Sequence, residues 1–355
     1  MDSAHPIEYQ VRLDYCHHQL LLLIQPMSTF AAYRIHQDEY QHRAGLEELT
    51  LEELSPGDVV VRVEWSTVNF KDALAATGRS KILRKSPLVG GVDAAGRVES
   101  SADPRLSVGT PVVVTGSGLG EVRDGGFASY LRVPADSVVA LPANLSTRDA
   151  MIAGTAGFTA ALALERMEHN GQTPALGPIL ISGASGGVGS FAVALCAQRG
   201  YEVSALSLKP FSIDYLRDLG ASKVILREGL EMGRRALETA RFGGAIDTLG
   251  GDYLGWMIRS VHANGNVAAI GMATSTELNT SVMPFILRGV NLLGINSVDV
   301  PRAVREHIWQ RLADSMTRAQ LDSICAGEIG LADLPEFCTE MLAGHVMGRA
   351  LVRVS

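Results

Sequence analysis

The chain has 355 residues, enough for two domains with cores of their own. A hydrophobic share of 46%, a charged share of 19% and a mean hydropathy of +0.14 exclude a disordered chain. The net charge of −7 argues against nucleic-acid binding through bulk electrostatics, and no apolar run nears the ~18 residues of a membrane span.

Residues 1–26 differ from the rest and read as a loosely ordered extension, with Met27 a natural beginning. Their Cys16-His17-His18 run lacks the spacing of zinc motifs. From Met27 to about Ala150 the pattern is β-rich. Strands are expected at Val59–Trp65, Gly96–Ser100, Val112–Thr115, Phe127–Val133 and Val138–Leu141, separated by Gly/Pro/Asp turns, as in a small barrel. From Met151 helix and strand alternate, the mark of a parallel doubly wound sheet. Its six strands are expected at Ile179–Ile181, Glu202–Leu206, Val224–Leu226, Ala245–Asp247, Asn266–Ile270 and Asn291–Ile295. After Val298 come helices at Arg302–Ser315 and Leu334–Leu342, then a strand, Ala350–Val354, expected to rejoin the first domain. None of the four cysteines forms a C-x-x-C pair, and Cys196 falls on an apolar helix face, which fits a reduced thiol and a cytoplasmic protein.

The most informative stretch is residues 179–209. Apolar Ile179–Ile181 leads into GASGGVG (183–189), a helix of small and apolar residues, and a second strand ending in Ser207-Leu208-Lys209. Glycines at such a strand-to-helix turn let the backbone approach a pyrophosphate on the helix N-terminus, here through Ser185, Gly186, Gly187 and Val188. An NAD site places an acid near the end of the second strand; Ser207 and Lys209 offer a hydroxyl and an ammonium instead, which suits the 2′-phosphate of NADPH. The alternative for Lys209 is an ordinary solvated lysine. Lys223, at the next strand, is a second candidate for that phosphate or a surface residue.

VNFKDALAATG (68–78), GGVDAAGRV (90–98), GTAGFTA (154–160), GASGGVG, AIDTLGG (245–251) and VMPFILRGVNLLGINSV (282–298) resemble the acrylyl-CoA reductase branch of the medium-chain dehydrogenase/reductase superfamily, which includes the YhdH-like quinone oxidoreductases. The likeness runs from about Tyr33 to Val354. It implies an α/β fold: a β-rich GroES-like catalytic domain (27–150, completed by 299–355) and a six-stranded parallel Rossmann domain (151–298). It also implies a homodimer and NADPH-dependent reduction of acryloyl-CoA to propionyl-CoA. Where zinc-dependent relatives read Gly-His-Glu, this chain reads Gly91-Val92-Asp93, and it has no cysteine lobe, so no metal is expected. Without a Lewis acid a conjugated C=C–C=O is the easier hydride acceptor. An NADPH:quinone reductase and a non-catalytic NADPH-binding protein are the alternatives.

Within that resemblance, Asn69 and Asp72 are the polar candidates beside the nicotinamide, each with a capping role as its alternative. Phe70 stands where relatives often carry a tyrosine, and it cannot donate a proton; water, Asp72 or a backbone-held solvent molecule is left as the source. Thr159, Gly271, Ser297 and Arg349 match positions that resemble cofactor-binding residues. Thr159 could instead bond its own preceding helical turn, and Arg349 could lie on the surface. Arg79, Lys81, Arg84 and Lys85 set four positive charges in seven residues, a patch suited to the phosphates of CoA or simply solvated; Arg288 is a weaker candidate for the same phosphates. The apolar residues of MPFILR (283–288) are expected at the domain cleft or a subunit contact.

Overall fold

A computed structural model describes residues 29–354; the expected extension over 1–26 lies outside the described residues. In chain order the first part holds β1 (Phe30–Gln37), β2 (His42–Leu49), β3 (Val59–Thr67), α1 (Phe70–Ala76), β4 (Leu88–Val89), β5 (Asp93–Ser101), β6 (Pro111–Thr115), β7 (Tyr130–Val133) and β8 (Val139–Ala140). Strand β3 alternates over its first half: Val59, Val61 and Val63 are buried while Arg62 faces water, the period of a half-buried strand. It pairs antiparallel with β5 and β7, and β5 with β6, in one curled sheet. Hairpin β1–β2 and short β4 close a second, three-stranded sheet over it, sharing the core of Tyr33, Ile35, Phe127 and Leu131.

Helix α2 (Thr147–His169) then crosses from this barrel to a six-stranded sheet. The sheet comprises β9 (Ile179–Ser182), β10 (Val203–Ser207), β11 (Lys223–Leu226), β12 (Phe242–Asp247), β13 (Val261–Ala269) and β14 (Asn291–Gly294). Its order is β11-β10-β9-β12-β13-β14, all neighbours parallel, the doubly wound arrangement expected. Helices α3 (Gly187–Gln198), α4 (Ile213–Asp218), α5 (Gly251–Ser260) and α6 (Met283–Arg288) make the crossovers. Strands β9 and β10 are buried along their whole length, β9 through the unbroken apolar run Ile179–Ile181 and β10 with only small Ser204 and Ser207 among its apolar residues.

The chain returns through α7 (Arg302–Ser315), α8 (Arg318–Ile324), β15 (Cys325–Gly330), α9 (Leu334–Leu342) and β16 (Arg349–Arg353). As expected, the terminal strand rejoins the first domain, pairing antiparallel with β3 through Leu351–Thr67 and Arg353–Trp65. Buried Arg305 fixes the crossing: its guanidinium donates to the carbonyls of Thr115 (2.6 Å), Val298 (2.6 Å) and Val300 (3.0 Å). Among the described residues no helix is long and apolar enough to cross a membrane.

Candidate active site and cofactor cleft

The glycine turn after β9 is shaped residue by residue. Gly183 has φ +57°, and a Cβ there would lie 2.2 Å from the Thr248 hydroxyl. A Cβ on Gly189 would sit 2.3 Å from the Gly183 carbonyl, so this glycine lets α3 close onto the strand. Gly186 is different: a Cβ there would meet only the Gly183 carbonyl, at 3.3 Å. That open face, with the partnerless amides of the first turn of α3 behind it, is a cradle for a pyrophosphate. Ser185 is buried and shares a 3.0 Å hydrogen bond with Ser207, while Val188 is partly buried against the core.

At the end of β10 the Ser207 hydroxyl also accepts from Ser212 (2.8 Å) and from the Lys209 amide (3.1 Å). Ser207 is fully buried, whereas Lys209 is half-buried and donates its ammonium to the Val346 carbonyl. Lys223 does not join them. It pairs with Ser204, three residues short of the sheet's carboxyl edge, and lines a separate cavity of about 680 Å³ with Glu202 and Glu228. The sheet register, which sequence alone does not show, decides this. Gly271 lies at the carboxyl edge, where a Cβ would come within 2.3 Å of the Thr248 carbonyl; here two loops pass at backbone contact. Asp247 at the end of β12 accepts from Ser182 (2.6 Å) and the Gly250 amide (2.8 Å), and burial raises its pKa.

A buried polar network joins the two domains at the start of α1. Arg349 donates to the Val68 carbonyl (3.1 Å), Asn69 Oδ1 (3.0 Å), the Thr67 hydroxyl (2.9 Å) and the Ile152 carbonyl (3.3 Å), with Asp93 at 3.7 Å. Asn69 Nδ2 donates to Asp93 (2.8 Å) and Asp72 (3.2 Å), and its backbone amide donates to Asp72 (2.8 Å). The second Asp72 oxygen accepts from the Val92 amide at 3.0 Å. Thr155 completes the set, its hydroxyl (2.5 Å) and amide (2.8 Å) donating to Asp93. Burial, reinforced by the Asp93 charge, pushes the Asp72 carboxyl up to about 7.

The geometry refines the roles expected for these side chains. Both Asn69 amide protons are held by carboxylates, so Asn69 is a keystone with only a carbonyl lone pair free. Asp72 caps α1 from its third position and is buried, as part of the same lattice. Arg349 is not on the surface; it is a buried strut, and a Cβ on Gly187 of the glycine turn would meet its Cδ at 2.8 Å. Thr159 bonds the Thr155 carbonyl of its own preceding turn (2.6 Å). Ser297 is half-buried where the chain leaves β14, beside Gly116 of the barrel. Arg288 donates to the carbonyls of Arg259, Val261 and Glu238 and so caps the end of α5. Phe70 is 46% exposed beside Asn69, presenting an apolar ring. Arg79, Lys81, Arg84 and Lys85 are all exposed on the loop after α1, which the Arg84 amide ties to the Glu121 carbonyl (2.7 Å).

Thr67, Gly154 and Thr155 were not singled out from sequence, although GTAGFTA carried a hint in its mid-helix glycine. Gly154 breaks α2 with φ +50°, and a Cβ there would lie 2.6 Å from Asp93 Oδ2 and 2.8 Å from Arg349 Nη2. Among the described residues no group of three or more His, Cys, Asp or Glu is placed to hold a metal ion. Asp93 would be a poor ligand: its oxygens already accept three hydrogen bonds with a guanidinium alongside, so this donor set does not fit zinc.

Comparison with known proteins agrees with this architecture. Residues 55–143 match the model of the alcohol dehydrogenase GroES-like domain, and residues 187–314 that of the zinc-binding dehydrogenases. The chain is 42% identical over 329 residues to acrylyl-CoA reductase AcuI of Ruegeria pomeroyi, covering 92% of this chain and 99% of that one. It is 41% identical over 330 residues to "Putative quinone oxidoreductase YhfP" of Bacillus subtilis, covering 92% and 100%, a protein also solved with NAD bound. The yhdH oxidoreductase of Salmonella enterica in complex with NADP superposes with a TM-score of 0.89 at 43% identity, covering 92% and 100%. Glycine cradle, parallel sheet, GroES-like barrel and these relatives converge: the chain belongs to the AcuI/YhdH/YhfP acrylyl-CoA reductase branch of the medium-chain dehydrogenase/reductase superfamily of oxidoreductases.

Proposed function

We propose that the protein reduces the C=C bond of a small 2-enoyl-CoA thioester at the expense of NADPH, without zinc. The observation that carries the reading is the closed Asn69–Asp72–Asp93–Arg349 network: it occupies the site with saturated side chains that fit no Lewis acid, so an acceptor already activated by conjugation suits it best. The amides of Gly187 and Val188 would hold the pyrophosphate, and Lys209, steadied by the Ser207 turn, the 2′-phosphate. Bound NADPH would supply hydride to the β-carbon of the thioester.

The chain's own residues do the rest. Arg349 and the two carboxylates fix Asn69, whose amide backs the reacting face. Phe70 walls the opening without a proton to give, and Asp72 is buried with both oxygens engaged. Asp72 can hold a proton near neutrality but is buried, so we assign the α-carbon proton to solvent. Arg84 and Lys85 would take the CoA phosphates at the mouth. Exposed Ile286 (73%) and Leu287 (62%) on α6, beside edge strand β14, support a second copy of the chain as partner.

A quinone reductase on the same scaffold is the second reading, favoured by the name YhfP carries. Following NADPH absorbance with acryloyl-CoA, crotonyl-CoA and 1,4-benzoquinone separates the two. Preference for acryloyl-CoA supports the proposal, and turnover of quinone alone overturns it.

A further inference from the structure

Lys209 is an uncommon cation. Its backbone is locked, with its amide on Ser207 (3.1 Å) and its carbonyl taken by the Ser212 hydroxyl (2.7 Å), so only the side chain is free to choose a partner. The ammonium is half-buried, burial alone draws its pKa down, and its acceptor is a neutral carbonyl, that of Val346. A desolvated ammonium satisfied only by a carbonyl has an unmet preference for an anion.

Val346 belongs to the other domain. It lies on the 343–348 loop that brings the chain from α9 back to β16 and Arg349. Two residues further on, the Gly348 amide donates to the Ser185 carbonyl of the phosphate turn (3.0 Å). Gly348 is pinned there, with φ +64° and the Ile324 carbonyl 2.1 Å from where a Cβ would stand. The amides of Ala343, Gly344 and His345 are held within their own domain by α9 carbonyls (3.0, 3.0 and 3.1 Å), so the Lys209–Val346 bond is what ties this stretch to the Rossmann domain ahead of Gly348, and it sits at the end of β10, the corner where a doubly wound fold meets the adenine ribose.

We propose that Lys209 is a latch: its ammonium exchanges the Val346 carbonyl for the cofactor's 2′-phosphate, so that NADPH, and not NADH, unties the 343–347 segment from the Rossmann domain. This rests on the assignment of the 2′-phosphate to Lys209 above. A dianionic phosphate is the stronger acceptor, so the exchange runs downhill when that group arrives. Loss of the tether is the structural difference the two coenzymes leave behind, in a loop that leads directly to the strut Arg349.

Hydrogen exchange by mass spectrometry on the full protein, saturated with NADPH or with NADH, tests this. Amides 344 and 345, whose bonds to α9 the tether steadies, should exchange about tenfold faster with NADPH, the protection one charge-assisted hydrogen bond confers. Lys209→Met should show the fast rate with either coenzyme and with none. Equal or slower exchange with NADPH in the wild type overturns the latch. The dissociation constants of Lys209→Met judge the underlying assignment separately. Selective weakening of NADPH with no difference in exchange removes the latch alone, and equal weakening of both coenzymes removes the 2′-phosphate role as well.

Discussion

Replacing Asp72 with asparagine isolates the carboxyl that the fold holds near neutrality. Its pKa stands at about 7, against an ordinary value of 3.8, because burial disfavours the anion and Asp93 adds like-charge repulsion, while the donors of Asn69 pull the other way. Between those two pH values the folded protein keeps a proton that the unfolded chain has released. Stability from this group is therefore full below about pH 4 and declines as pH rises towards 7. At about 1.4 kcal/mol for each pH unit, the decline is on the order of 4 kcal/mol across the window. Asp72→Asn keeps the shape and places a neutral amide there at every pH. Urea unfolding from pH 4.5 to 7.5 should show the wild type losing about 2–4 kcal/mol relative to the variant. Parallel stability curves for the two proteins would refute the buried, protonated carboxyl.

Arg349→Met leaves Asp93 buried without its cation and Asn69 without its donor, which should cost about 3–5 kcal/mol in chemical denaturation; a loss below about 1 kcal/mol would mean the strut is dispensable. Gly189→Ala should destabilise by about 1–3 kcal/mol, because its Cβ has no room, as a lower melting temperature would show. Gly186→Ala should melt like the wild type and bind NADPH less tightly, since its Cβ fills only the cradle. Arg84→Glu with Lys85→Glu should raise KM for acryloyl-CoA about tenfold while sparing a thioester that lacks the nucleotide phosphates; an unchanged KM returns the loop to a solvated role.

The Rossmann half was legible because its signals are local. Glycines at fixed spacing, buried strands of apolar and small residues and a helix of small residues lie within about 30 residues. The six strands came out within a few residues at their carboxyl ends, with β12 and β13 starting earlier than their apolar runs suggest. Hairpin β1–β2 was missed because β2 faces water along most of its length and shows no apolar alternation. Strand β15 and helix α8 escaped for a similar reason, being short and largely exposed. The site resisted more. Asp93 and Arg349 are 256 positions apart, and only the pairing of β16 with β3 brings them together. Lys223 looked equivalent to Lys209 until the strand register put it at the opposite end of the sheet. Asn69 had the right chemistry for a substrate contact, but spacing cannot show that its donors are already taken.

Metal-free, NADPH-dependent enoyl reduction is tested by the fate of acryloyl-CoA with protein dialysed against a strong chelator, comparing NADPH with NADH. Propionyl-CoA should form with one NADPH consumed per thioester, undiminished by the chelator and much slower with NADH. Activity that vanishes on chelation and returns with a divalent ion, or that is the same with both coenzymes, would contradict it.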